Sequence, residues 1–308
     1  MAFSYPSPPG SCLACGGSLA SDPTLVGRDR MHGVPGRYEI FVCPSCGSGT
    51  TLPVVGAAEI ADYYPNEYAP YVVPRGPLAA VMHMMQRARD RRFPLASLRR
   101  IMPGTLLDVG CGRGDLAASW IAAGWHVIGI EPSPEAGAVA RLRGVETLTG
   151  TLDTVALSPD SIDAVVFRHS LEHVIDPRTD LQRVYTALRS GGHVAIIVPN
   201  WNSWQRRAFS DSWFPLELPR HRTHFSSDGL RAALEDAGFM NVVTRAATPF
   251  ITTTWSLQLR LFGQCLTESG AALWAGYFAS VPISLLVRPL DVILGGGDFL
   301  HAIGEKPA

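Results

Sequence analysis

The sequence is short of lysine. Lys306 is the only one, and the other basic side chains are arginines. It is short of net charge as well, at −1 over 308 residues, with an isoelectric point near 6.7. A chain so balanced sets up no global field for nucleic acid, and none is expected as a partner. No signal peptide is expected. The opening MAFSYPSPPG puts proline where the hydrophobic centre of a signal peptide would lie. The expected location is therefore the cytoplasm. Long apolar runs are nearly absent. Ala271 to Val287 is uncharged over 17 residues, but this is the short limit for a span, and Gly276 and Pro282 interrupt it. The readings left for it are an in-plane membrane contact through 271–293, a hydrophobic substrate gate, or a buried helix pair that covers the active site or forms a homodimer face. Cysteine numbers only six. Without export signals, six thiols argue for reducing surroundings and for metal rather than disulfides.

What is present is organised around Thr105 to Asp115, TLLDVGCGRGD. Thr105 to Val109 reads as a buried parallel strand. Gly110, Gly112 and Gly114 follow, and Leu116 onward reads as a helix. Glycines let a backbone turn tightly and approach a ligand, and a helix N-terminus offers free N–H groups. His126 to Ile130 is a second strand, and it ends in Glu131-Pro132. A carboxylate there is placed to accept hydrogen bonds from two ribose hydroxyls. The spacing G-x-G-x-G is not G-x-G-x-x-G, so a pyrophosphate cradle fits less well than a cofactor without phosphates. Further strands are expected at Val145–Leu148, Ile162–Phe167, Gly192–Val198, Asn241–Ala246 and near 295–303. Helices are expected after Ser133 and over Pro177–Arg189, the latter ended by Gly191-Gly192. Alternating strands and helices define an α/β fold with a parallel sheet.

Ahead of this lie Cys12-x-x-Cys15 and Cys43-x-x-Cys46, each followed by glycine. This is the knuckle spacing of a zinc ribbon, in which four thiolates close a structural site. Two redox-active C-x-x-C pairs are the alternative, without a thioredoxin-like context to support it. Tyr63, Tyr64 and Tyr68 either lid a site or pack the ribbon onto the core. Leu78 to Arg100 reads as an arginine-rich helix. Its bland reading is a solvated face, and its sharp one a face for acidic headgroups. Cys111 reads as a packing residue and Cys265 as a leftover thiol.

Three motifs in order, LLDVGCGRGD, GIEPS and SIDAVVFRHSLEHVIDP, resemble those of class I S-adenosylmethionine-dependent methyltransferases, in the small-molecule and glycan branch (type 11/23-like). The paired C-x-x-C knuckles and a YYP-x-x-Y segment resemble the front of bacterial enzymes acting on sugars, glycolipids and secondary metabolites. The resemblance implies a Rossmann-like seven-stranded sheet. It divides the chain into a zinc ribbon (1–56), a helical linker or lid (57–104), a cofactor-binding core (105–250) and a hydrophobic helical extension with the last strand (251–308). It implies S-adenosylmethionine as cofactor beside structural zinc. The cofactor contacts it implies are Asp108, Gly110, Cys111, Gly112, Gly114, Glu131, Pro132, Thr151, Leu152 and Arg168. The implied reaction is O-methylation of a sugar, glycolipid or secondary-metabolite acceptor. An RNA base methyltransferase and a non-catalytic scaffold are the rivals.

A hydroxyl acceptor calls for a base. His169, His173 and His221 are the candidates, with His224 beside them in a long aromatic loop from Pro199 to Ser226. In a helical turn His169, Glu172 and His173 would share one face. That spacing suits a divalent ion as well as it suits a loop brace. A related quinone-biosynthesis branch has Glu-x-x-Glu-His at this point, where this sequence has His169 in place of the first glutamate.

Overall fold

The computed structural model describes residues 10–60, 63–64, 92–249, 251–263, 270–294 and 296–308. Among them the strands are β1 Leu25–Gly27, β2 Tyr38–Val42, β3 Gly49–Leu52, β4 Thr105–Val109, β5 His126–Glu131, β6 Glu146–Thr149, β7 Ile162–Arg168, β8 Leu188–Pro199, β9 Thr223–His224, β10 Met240–Ala247 and β11 Phe299–Glu305. Most of the expected helix over 78–100, together with Tyr68 and Cys265, lies outside the described residues.

Seven strands form one sheet in the order β10-β11-β8-β7-β4-β5-β6. The strands β4 to β8 run parallel. The sheet is mixed rather than wholly parallel, because β11 enters antiparallel between β8 and β10. The inner strands read as unbroken apolar runs because helices cover both faces. Leu106, Leu107, Val165, Val166 and Phe167 are buried there, each contributing roughly 1.5–3 kcal/mol of transfer free energy. Helix Pro134–Leu142 starts where expected: Ser133 Oγ accepts from Ala136 N at 3.2 Å, with proline in the first turn. Helix Pro177–Ala187 is capped by Asp176. It stops two residues short of the expectation, since Leu188 already belongs to β8. Gly191 and Gly192 thus serve a bend in the strand. A Cβ on Gly192 would sit 2.8 Å from the Arg189 carbonyl.

The ribbon strands form a second, antiparallel sheet in the order β1-β2-β3-β9. Its fourth strand, β9, comes from the loop after β8. The ribbon is joined to the core by packing too. Cys12, Cys43 and Cys46 share a hydrophobic cluster with Leu181, Val184, Leu230 and Leu234.

The uncharged stretch lies in one helix, Gly270–Ile293, which continues through Pro282 and Pro289. It packs on helix Thr252–Phe262, and Trp204 Nε1 donates to Asp291 at 2.8 Å. Leu285, Leu286, Val292 and Ile293 are exposed, so this half is not the buried cover that was one expectation. No described helix is long and apolar enough to cross a membrane.

Candidate active site

The parallel strands end together at Val109, Glu131, Arg168 and Pro199, the edge where open α/β sheets bind ligands. Gly110 N and Cys111 N both donate to the Ile130 carbonyl, at 2.8 and 3.1 Å. This clamps the glycine loop to the end of β5. Gly110 and Gly112 take φ of 74° and 54°, a region open to glycine. A Cβ on Gly110 would lie 2.8 Å from Ser170 Cβ, whereas one on Gly112 would meet nothing within 4 Å. The loop therefore presses against the end of β7 at one point and leaves an uncovered cradle at the next.

Glu131 is buried. Its carboxylate accepts from Gly112 N and Ser133 N, each at 2.9 Å. Burial pushes its carboxyl up, and the two backbone N–H groups oppose this. One oxygen thus shapes the cradle, and each oxygen keeps a lone pair. Asp108 and Leu152 are buried, while Pro132 and Thr151 are exposed beside them. Thr151 N is held by Thr154 Oγ1 at 2.9 Å. Arg168 is half-buried at the end of β7. Cys111 is tied into the loop by its backbone N–H and by its Sγ, which donates to the Gly112 carbonyl at 3.7 Å. Its Sγ fills the space above Gly129, where a Cβ would meet it at 2.5 Å. Burial, with Asp108 and Glu131 nearby, pushes the thiol up.

The histidines divide into two kinds. His169 stands at the sheet edge with 43% of its side chain exposed. Its φ is 56°, and its ring meets Phe299 edge-on at 4.9 Å. His221 and His224 are buried, and His173 is half-buried. Burial holds His173 and His224 down to about 3, and His221 well below its usual value. The shared helical face for His169, Glu172 and His173 does not form. Leu171–His173 is a 3-10 turn, His169 lies outside it with left-handed backbone, and Glu172 turns inward. Its Oε1 lies 3.8 Å from His169 Nδ1 and 3.9 Å from His221 Nε2. The groups whose ligand atoms fall within 4.8 Å of one another are Glu172, His173 and His221.

The four expected zinc ligands also converge, with Cys12, Cys15, Cys43 and Cys46 sulfurs within 4.8 Å of one another. Cys12–Cys46 and Cys15–Cys43 are 3.7 and 3.6 Å apart. Zinc–sulfur bonds of about 2.3 Å give a tetrahedral edge of about 3.8 Å, so the donor set fits zinc.

The ribbon grips the histidine loop. Thr51 Oγ1 donates to the His221 carbonyl and pairs with His224 Nε2, both at 2.8 Å. Ser226 Oγ donates to the Cys46 carbonyl. Arg220 is fully buried against Asp29, with both guanidinium contacts at 3.1 Å. Tyr64 OH meets His173 Nδ1 at 3.0 Å, and Tyr63 pairs with Tyr38. The two described tyrosines therefore pack the ribbon onto the loop. Sequence reasoning missed Asp29, Thr51 and Asp298. Asp298 lies in what reads as a glycine turn, yet it accepts from Ser203 Oγ at 2.5 Å and Trp213 Nε1 at 2.9 Å. Burial pushes its carboxyl up to about 7. Nothing in one sequence distinguishes it from a turn aspartate.

The strand order and the glycine loop beneath an acid-tipped second strand define an α/β protein built to hold a nucleoside-bearing cofactor. A sequence profile described as "Methyltransferase domain" matches residues 80–244, and the chain belongs to that family. Ubiquinone biosynthesis O-methyltransferase of Aeromonas salmonicida is 38% identical over 104 residues, covering 32% of this chain and 44% of the relative. The Xylella fastidiosa protein of the same name is 32% identical over 134 residues, covering 41% and 52%. The chain thus spans about half the length of the curated relatives it matches. A SAM dependent methyltransferase from Archaeoglobus fulgidus superposes with a TM-score of 0.50 at 19% identity, covering 73% of this chain and 94% of that one. That likeness shows the shared fold.

Proposed function

We propose that the protein is an S-adenosylmethionine-dependent O-methyltransferase acting on a hydroxyl group of a small molecule. The observation that carries this reading is a single sheet edge holding both the uncovered cradle at Gly112 and the exposed His169. When bound, the cofactor supplies an electrophilic methyl group on sulfur. The glycine loop's backbone and Glu131 would hold its amino acid and ribose ends. Asp108, Thr151, Leu152 and Arg168 stand around the same edge. His169 would take the proton of the acceptor hydroxyl, which would leave the oxygen free to accept the methyl group. Glu172 behind it would stabilise the imidazolium.

The relatives' names support transfer to oxygen. For the acceptor we favour a sugar, glycolipid or secondary metabolite. The ribbon in front of the core supports that choice, and the balanced charge weighs against RNA. The outward apolar residues of helix Gly270–Ile293 offer a surface for a lipid or a second copy of the chain. The test is calorimetric titration with S-adenosylhomocysteine, repeated on Glu131→Ala. Micromolar binding that collapses in the variant supports the reading, and no binding to zinc-loaded wild type would sink it. His169→Asn should then cut turnover by about 10²–10⁴-fold with cofactor affinity unchanged.

A further inference from the structure

Given the methyl transfer proposed above, on which this step rests, we infer that Asp298, Gln205 and the threonines at 252–254 bind the acceptor, and that the acceptor they fit is a saccharide held by its hydroxyl groups. Asp298 stands at the edge where the parallel strands end. Its carbonyl accepts from Asn200 N at 2.8 Å, just past the end of β8. The next residue, Phe299, pairs with Pro199 and meets the His169 ring at 4.9 Å. Consecutive Cα atoms are about 3.8 Å apart, so Asp298 is one step of chain from the ring that touches the proposed base.

Its carboxylate is only half used. Oδ1 accepts from Ser203 Oγ and Trp213 Nε1, while Oδ2 is buried with no hydrogen-bond partner among the described residues. Gln205 shares the same anchor, since its backbone N–H donates to Ser203 Oγ at 3.0 Å. Its side-chain amide is fully buried, and neither the oxygen nor the nitrogen has a partner among those residues. Trp213 and Phe214 carry the cluster to the next element. Trp213 holds Asp298, and Phe214 N donates to Ser256 Oγ at 2.9 Å in helix Thr252–Phe262. The first turn of that helix adds Thr252, Thr253 and Thr254, all buried, whose hydroxyls also have no described partner. The same helix packs on Trp204–Phe209, which carries Gln205.

Buried polar groups are nearly always paired, and leaving one alone is costly. A pure packing role would place apolar side chains here. The unpaired set is instead one carboxylate oxygen, both ends of an amide and three hydroxyls. It offers donors and acceptors together, which is what a hydroxyl group asks for. A saccharide carries several hydroxyls around one ring, whereas a flat diol presents two on a single edge. The groups are shut from solvent, so binding includes an outward movement of helix Thr252–Phe262, and a ligand that pairs with them favours the state that admits it.

The test uses the full, zinc-loaded chain with S-adenosylhomocysteine bound. The probes are the methyl glycosides of glucose, galactose, mannose and rhamnose, with catechol as the flat diol. Binding is read by saturation-transfer nuclear magnetic resonance and by calorimetry. At least one glycoside should bind, and more tightly than catechol. Asp298→Asn can keep its amide oxygen on Ser203 and Trp213 while a donor replaces Oδ2. Gln205→Leu removes an amide that no described neighbour uses, so it should melt no lower than wild type. Each variant should weaken glycoside binding about tenfold or more with S-adenosylhomocysteine affinity retained. A chain that binds S-adenosylhomocysteine but none of the glycosides overturns the inference and leaves the methyltransferase reading standing. So does a preference for catechol, or glycoside binding that either folded variant keeps. A wild type without S-adenosylhomocysteine binding ends the reading and the inference together.

Discussion

The two halves of the proposed site, one for cofactor and one for acceptor, are made in different ways. The cofactor half comes from one stretch of chain: β4, the glycine loop, β5 and the turn after β6 all lie within residues 105–153. The acceptor half is assembled from three distant stretches. Asp29 and Thr51 of the ribbon, Glu172 and His173 after β7, and the loop from 200 to 226 meet only in the folded state. The first half is built of backbone turns, and the second of buried side-chain pairs. Backbone turns tolerate their surroundings. Buried pairs fail when one member goes, because the other is left unpaired. The acceptor half should therefore be the fragile one.

Removing the ribbon metal tests this most severely. Structural zinc contributes on the order of 10 kcal/mol to small metal-bound modules. Chelation should expose the loop at 200–226 to protease while the folded core still binds S-adenosylhomocysteine. A loop that stays protected would break the contrast. Next comes Asp29→Asn, which strands a buried guanidinium and should cost about 3–5 kcal/mol. A thermal melt of the variant should drop accordingly, with cofactor affinity at low temperature unchanged.

Acid should separate the halves by sign. His224 is held down to about 3 in the folded chain, against an ordinary value of 6.5. Below pH 6.5 the unfolded chain takes up a proton that the folded one refuses. Stability is lost as pH falls from 6.5 toward 3, by up to about 1.4 kcal/mol per pH unit for this group. Glu131 behaves oppositely. Its raised carboxyl binds a proton more readily in the folded state, so its contribution is lost as pH rises through the folded value. Urea melts across pH 7 to 5 should show a slope that flattens in His224→Gln. The smallest effect sharpens the seam between the halves. Ser226 caps helix Ser227–Asp236 through Gly229 N at 2.9 Å, and Ser226→Ala should cost about 1 kcal/mol in the same melts.

The contrast also explains what could be read from the chain beforehand. The strand and glycine loop at Thr105–Asp115, Glu131 at a strand tip, and the Ser133-Pro134 helix start are local signals, and each stands where the residue pattern places it. The four cysteines are far apart, yet a metal demands a spacing that writes itself into sequence. His221 and His224 drew notice from their loop, but their burial did not, because burial depends on β3 and on Asp29 some hundred and seventy or more residues away. Helix Pro177–Ala187 was read too long because the glycines that look like its stop belong to a strand bend. Asp298 stayed hidden because its partners, Ser203 and Trp213, are brought in by the loop.

The pairing of β9 with β3 has a consequence for how the chain is made. During synthesis, Gly49–Leu52 leaves the ribosome long before Thr223–His224 can join it. At ordinary elongation rates the wait is roughly ten to thirty seconds. For that time the nascent ribbon presents an open strand edge beside reduced thiols, the kind of surface that recruits wrong partners. Early capture of metal by Cys12, Cys15, Cys43 and Cys46 would hold the three-stranded piece in shape until its last strand arrives.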